Sequence, residues 1–232
     1  MQHDYRVIRS ATAAEPLVAD AQHRVLRNTY WLLALSMVPT VAGAWLGIAA
    51  GIGSLLSPGI SMVVFLAGAF GFIFAIEKTK NSAAGVPVLL AFTFFMGLML
   101  SRLLGVVLGL QNGAGLVMTA FAGTGAIFLG MASLSSIIQR DLSAMGKWLF
   151  IGAVLLLVAG IANFFIQSSA LMITLAVLAI GIFSAFILHD LKRVKDGYET
   201  NYISATLGVY LSLYNVFQSL LMLLGLGGSR EE

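Results

Sequence analysis

Seven stretches of about 20 consecutive apolar residues dominate this chain: Asn28 to Ala50, Pro58 to Ile76, Val86 to Leu110, Gly115 to Gln139, Lys147 to Ile166, Ala170 to Leu191 and Tyr202 to Leu226. A stretch of that length, written as a helix, crosses the hydrocarbon of a bilayer. Strand-like alternation is absent, and each run exceeds the 9 to 11 or so residues of a membrane barrel strand. Helices are then the remaining way to satisfy the backbone in lipid. With 59% hydrophobic and 10% charged residues, the chain cannot present a water-soluble surface of normal polarity. The expectation is an all-α membrane protein of seven transmembrane helices whose first partner is the lipid bilayer. Residues 1–27 form an N-terminal tail, 28–226 the membrane domain and 227–232 a short C-terminal tail.

Orientation follows from the basic residues. Arg6, Arg9, Arg24 and Arg27 lie in the tail, Lys78 and Lys80 in the second connection, Arg140 and Lys147 in the fourth, and Lys192, Arg193 and Lys195 in the sixth. Eleven of thirteen thus fall on one side, and Arg230 alone marks the other. The positive-inside rule places the N-terminus in the cytoplasm and the C-terminus outside. This bias also accounts for the net charge of +3, so no nucleic-acid partner is called for. The tail to about Gln22 is mixed in charge and poor in large apolar residues, which predicts disorder. His23 to Met37 then brings Arg24, Arg27, Tyr30 and Trp31 to the membrane face as an interfacial anchor.

The seventh run is the most polar. At 100° per residue Ser204, Gly208, Ser212, Asn215 and Ser219 fall within about 80° of one another, a single stripe. Small and polar groups on one face of an apolar helix want protein or water there. Just ahead of it, at the end of the sixth run, come His189 and Asp190, the latter the only acidic group adjoining that end. These two features carry the candidate site.

The other runs are marked by small residues at four-residue spacing, the signature of close helix packing in lipid: Ser36, Thr40, Gly43 and Gly47 in the first, Ala67, Gly71 and Ala75 in the second, Gly97, Ser101, Gly105 and Gly109 in the third, and Ala122, Ala126 and Gly130 in the fourth. Beside the third ladder sits Arg102, an intramembrane charge that would cost about 2.5 to 3.5 kcal/mol unpaired. It must snorkel outward, pair, or face a vestibule. Ser133, Ser135 and Ser136 are expected to bond their own helix backbone, and Asn163 and Gln167 to cap the fifth helix or bond between helices.

The chemistry-bearing motifs of enzymes are missing. There is no HExxH, no phosphate loop, no second embedded acid to pair with Asp190 as in an aspartyl protease, and no lysine in the middle of the seventh run. Cysteine is absent, so thiolate metal sites and disulfides are excluded. The reading is a non-enzyme without a cofactor.

The string GYETNYISATLGVYLSLYNVFQSLL, with HRVLRNTYWLLAL at the front and GIANFFIQ in the fifth run, resembles the bacterial branch of the Bax inhibitor-1 family. The resemblance runs from about His23 to Gly225. It implies a fold in which the seventh helix is central and six wrap it, and a place in the bacterial inner membrane. For one branch it implies modulation of a membrane-anchored, ATP-dependent protease, FtsH. For other members it implies a pH-sensitive calcium leak controlled by two aspartates, one at the end of the sixth helix and one midway along the seventh. Asp190 matches the first position, whereas the second falls on Ser212, so that a proton-sharing carboxylate pair is not available. His189 and Asn215 flank these positions as candidate gating residues. Ser101 and Arg102 replace what is usually a small Gly-Pro step, and the resemblance assigns the arginine no role.

Overall fold

Several spans start or stop where the sequence supplies a cap. Ser57 accepts from the Ile60 N–H ahead of Pro58, Ser168 accepts from the Leu171 N–H, and Asn201 Oδ1 accepts from the Ile203 and Ser204 N–H groups. Gln167 ends its helix in the left-handed region at φ 55°, while Asn163 Oδ1 takes the next N–H, from Ser168. Asn163 thus caps through its side-chain amide and Gln167 through its backbone. The computed structural model describes the backbone of residues 2–55 and 57–228, and the side chains from Asp20 to Gly227 except Ser54 and Leu56. Its elements are α1 (Gln2–Ala49), α2 (Ile52–Leu55), α3 (Pro58–Thr79), α4 (Gly85–Leu108), α5 (Gly113–Ile137), α6 (Ser143–Ile166), α7 (Ser169–Lys195) and α8 (Tyr202–Gly228). All but α2 are long and apolar enough to cross a membrane, the first from Asp20 onward.

Two elements differ from expectation. The backbone before Asp20 is helical, continuous with the first span, where disorder was predicted. Ala11, Ala13, Ala14, Ala19 and Ala21 are strong helix formers, and a helix growing from an existing span needs no new nucleus. Pro16 removes one backbone donor within it. The four-residue α2 was not foreseen, being too short to show periodicity. The tail from 229 on, with Arg230, lies outside the described residues.

The helices are packed unequally. Among the described residues α8 touches α1, α3, α4, α5 and α7, and no residue from Tyr202 to Leu226 is exposed. In contrast, α6 touches α7 alone and has no buried residue. The core runs through Leu89, Phe92 and Met96 of α4, Ile203, Val209, Tyr210 and Leu221 of α8, and Ile187 and Leu191 of α7.

Of the four small-residue ladders, two face each other. A Cβ on Gly97 would lie 2.0 Å from the Thr40 carbonyl oxygen, one on Gly43 2.2 Å from that of Phe94, and one on Gly47 2.4 Å from Ser101 Oγ. Backbone thus meets backbone along the α1–α4 seam. The remaining ladders face outward: Ala67, Gly71, Ala122, Ala126 and Gly130 are exposed, and Gly105 has open space beside it. On α3 and α5 the close contacts belong to other glycines, Gly68 against the Phe95 ring and Gly123 against Leu220. Periodicity alone marks a face that can pack without naming the neighbour.

Candidate functional site

The last turns of α7 carry His189 and Asp190, whose side chains are 8% and 17% exposed and share a 3.1 Å contact between Nδ1 and Oδ1. Two missing Cβ atoms make room for the pair. One on Gly208 of α8 would lie 2.7 Å from Asp190 Oδ2, and one on Gly146 of α6 would lie 2.6 Å from His189 Nε2. The carboxylate therefore rests on the α8 backbone and the imidazole on that of α6. A two-residue motif at one helix end links three helices.

The cations around Asp190 are engaged elsewhere. Lys192 pairs with Asp196 one turn on, and Arg193 lies 3.9 Å from Glu199. Lys195 donates to Ser135 Oγ at 2.8 Å and to Ser136 Oγ, tying the end of α7 to the end of α5. An ordinary helix-end carboxylate would be neutralised by Lys192 or Arg193; this one takes its partner from its own histidine. Outside the spans, Asp141 accepts from the N–H and hydroxyl of Ser143, bonds that hold its carboxyl below the usual carboxylate range.

The polar stripe of α8 is used mostly within its own helix. Ser212 donates to the Gly208 carbonyl at 3.0 Å and Asn215 to that of Leu211 at 2.8 Å, the local back-bonding that buried polar side chains adopt in helices. Ser212 accordingly spends its proton on backbone, one turn from the carboxylate. Ser204 reaches outward and donates to Glu77 of α3 at 3.1 Å, and Ser219 is buried.

Three contacts escaped the sequence reading. Tyr210 shares a 2.9 Å hydrogen bond with Thr40 of α1 and donates to the Thr93 carbonyl of α4 at 3.4 Å, while Tyr214 donates to the Met96 carbonyl at 3.3 Å. Two tyrosines four apart in an apolar run are the signal that could have exposed this layer. Asn201 donates to the Lys80 carbonyl and Asn81 Oδ1 and accepts from the start of α8, so Glu-Thr-Asn is a clamp on the α3–α4 turn. Gly197, at φ 80°, makes the turn that precedes it. The Lys195 contact with Ser135 and Ser136 is the third, and it adds a cation to hydroxyls that also bond their own backbone at Ala132.

Arg102 lies near the opposite end of the bundle, exposed, with Nη1 donating to Ser61 Oγ of α3 at 3.3 Å. It lines a crevice between α3, α4 and α8.

Among the described residues no group of three His, Asp or Glu side chains could hold a metal ion. A hard cation such as calcium needs six to eight or so oxygen ligands, and the site offers one carboxylate. What the geometry provides is one hydrogen-bonded His189–Asp190 pair at a three-helix junction.

Residues 22–230 match the family described as Inhibitor of apoptosis-promoting Bax1. The chain is 38% identical over 232 residues to an uncharacterized protein of Neisseria meningitidis serogroup A, covering 98% of this chain and 99% of that one. It is 35% identical over 209 residues to an uncharacterized membrane protein of Vibrio cholerae, covering 90% and 92%. With the Modulator of FtsH protease YccA of Escherichia coli K12 it shares 37% identity over 203 residues, covering 88% and 90%. The seven spans, the extent of the family match and these bacterial relatives make the chain a multi-pass inner-membrane protein that belongs to the Bax inhibitor family.

Proposed function

We propose that this protein binds a membrane-anchored, ATP-dependent protease of the FtsH type and restrains it, acting as a slow substrate and not as an enzyme. The observation that carries the reading is the 37% identity to the E. coli modulator across nearly the whole of both chains. Two structural features support it. The basic end, read as cytoplasmic, bears a helical extension of α1 before Asp20, about 27 Å long at 1.5 Å per residue. Helices of this length are marginal in water on their own, so a protease that pulls on a terminus can unwind it. The same helix then enters the α1–α4 seam, where Gly43 and Gly97 bring backbones together and backbone bonds are costly to break in lipid. Pulling that starts easily and stalls there produces competition for the protease.

The test is a pulse-chase of full-length protein and of a deletion of residues 2–19, each with and without the protease. The deletion should lengthen the lifetime several-fold only when the protease is present, because Arg24 and Arg27 still direct insertion. Equal lifetimes in all four cases would sink the reading. That outcome would favour a second one, a cation leak at Asp190, whose supporting observation is a half-buried carboxylate lying against Gly208.

A further inference from the structure

At the end of the bundle away from His189 and Asp190 a crevice of about 190 Å³ opens between α3, α4 and α8 under the short α2. Its polar lining includes Arg102 of α4, Ser61 of α3 and Gln218 of α8, with Ser101 and Tyr214 already bonded to backbone carbonyls; its apolar lining includes Met62, Phe65, Leu98 and Met99. Arg102 and Ser61 are already oriented toward one another by their 3.3 Å contact. Gly53 of α2 packs on the root of the Arg102 side chain, a Cβ there falling 3.1 Å from the Arg102 Cα and 3.4 Å from its Cγ, which leaves the guanidinium end exposed. On either side of Ser61, α3 exposes Ile60, Val63 and Val64, an apolar surface beside the crevice.

We infer that this crevice seats the phosphate head of an anionic membrane lipid, with Arg102 as the charge contact, Ser61 and Gln218 as hydrogen-bond donors, and the first methylenes of an acyl chain along Phe65 and Met99. A guanidinium with flanking neutral donors matches a phosphate's oxygens in charge and in geometry. The volume is below the roughly 300 Å³ of a pocket that encloses a whole small molecule. It suits a ligand whose remainder stays in the bilayer. A soluble phosphate would gain nothing from the apolar wall, which is the reason to assign a lipid.

The test is thermal unfolding of the purified protein in neutral detergent, titrated with palmitoyl-oleoyl phosphatidylglycerol, with phosphatidylcholine of the same chains, or with inorganic phosphate. Phosphatidylglycerol should raise the melting temperature saturably by several degrees in the wild type, while phosphatidylcholine and inorganic phosphate do not. Arg102→Gln should lose that shift, and Arg102→Lys should keep part of it. Gln218→Leu, which leaves the charge in place, should weaken the apparent affinity several-fold, which keeps the proposal testable if Arg102→Gln fails to fold. Equal shifts with both lipids, an equal shift with inorganic phosphate, or an undiminished shift in the Arg102 and Gln218 variants would each overturn it.

Discussion

Two seams hold this bundle together with the same residue type, and they differ in what the glycine meets. Along α1–α4, Gly43 and Gly97 lie against backbone carbonyls of the facing helix. Along α7–α8, Gly208 lies against the tip of a side chain, the Asp190 carboxylate. A carbonyl in a helix cannot retreat without moving the helix; a carboxylate can swing about its own torsions. The first seam is therefore rigid, and the second has a movable part. It is the second that carries the candidate site.

The largest effect should come from breaking the rigid seam. In Gly97→Ala the added carbon would fall 2.0 Å from the Thr40 carbonyl oxygen, so α1 and α4 must separate along their length. Overpacking costs about 1 to 3 kcal/mol in well-packed cores. This case belongs at the upper end, because the separation also disturbs the hydrogen bond between Thr40 and Tyr210. Thermal unfolding in detergent should show a loss of about 3 kcal/mol or failure to fold. A neutral Gly97→Ala would mean that α1 does not dock there.

A smaller effect is expected at the movable seam, where it has a signature. Gly208→Ala should cost about 1 kcal/mol, since the contact at 2.7 Å is with Asp190 Oδ2 and that atom can yield. In an Asp190→Ala background the same change should cost nothing, giving an interaction energy of about 1 kcal/mol in a double-mutant cycle. If the two effects add, the carboxylate does not rest on Gly208, and the three-helix junction at His189 loses one of its sides. Gly97→Ala should remain equally damaging in either background.

The sequence disclosed what hydrophobicity and charge can disclose. Seven runs gave seven spans with ends displaced by a few residues, because crossing lipid leaves the backbone little choice. The polar stripe of α8 led to a helix with no exposed residue from Tyr202 to Leu226, since Ser212 and Ser219 are costly against hydrocarbon. What stayed hidden was pairing. Nothing local says that Lys195 crosses to Ser135 or that Asp190 comes to lie against Gly208, for these depend on how α7 lies against α5 and α8. The helix before Asp20 is hidden for another reason: its mixed charge resembles a disordered tail, while its alanines favour helix. The crevice at Arg102 needed three helices in place before its lining came together.

The smallest expected effect is the sharpest check on how seams are told apart. Gly105 continues the register of Gly97 and Ser101 at the same four-residue spacing, and by sequence the three are one ladder. In the structure a Cβ at Gly105 meets nothing within 4 Å, while Gly97 is closed by Thr40. The reason is where α1 ends. Its last residue, Ala49, lies just beyond the Gly47 contact with Ser101, so α1 does not reach the next turn of α4, and the short α2 packs on Arg102 and leaves Gly105 open. Gly105→Ala should then change stability by no more than about 0.5 kcal/mol, the range of substitutions away from packed contacts, and even Gly105→Leu should be tolerated in detergent. Should Gly105→Leu destabilise as strongly as Gly97→Ala, the outer turn of α4 is covered, and the rigid seam extends past the end of α1.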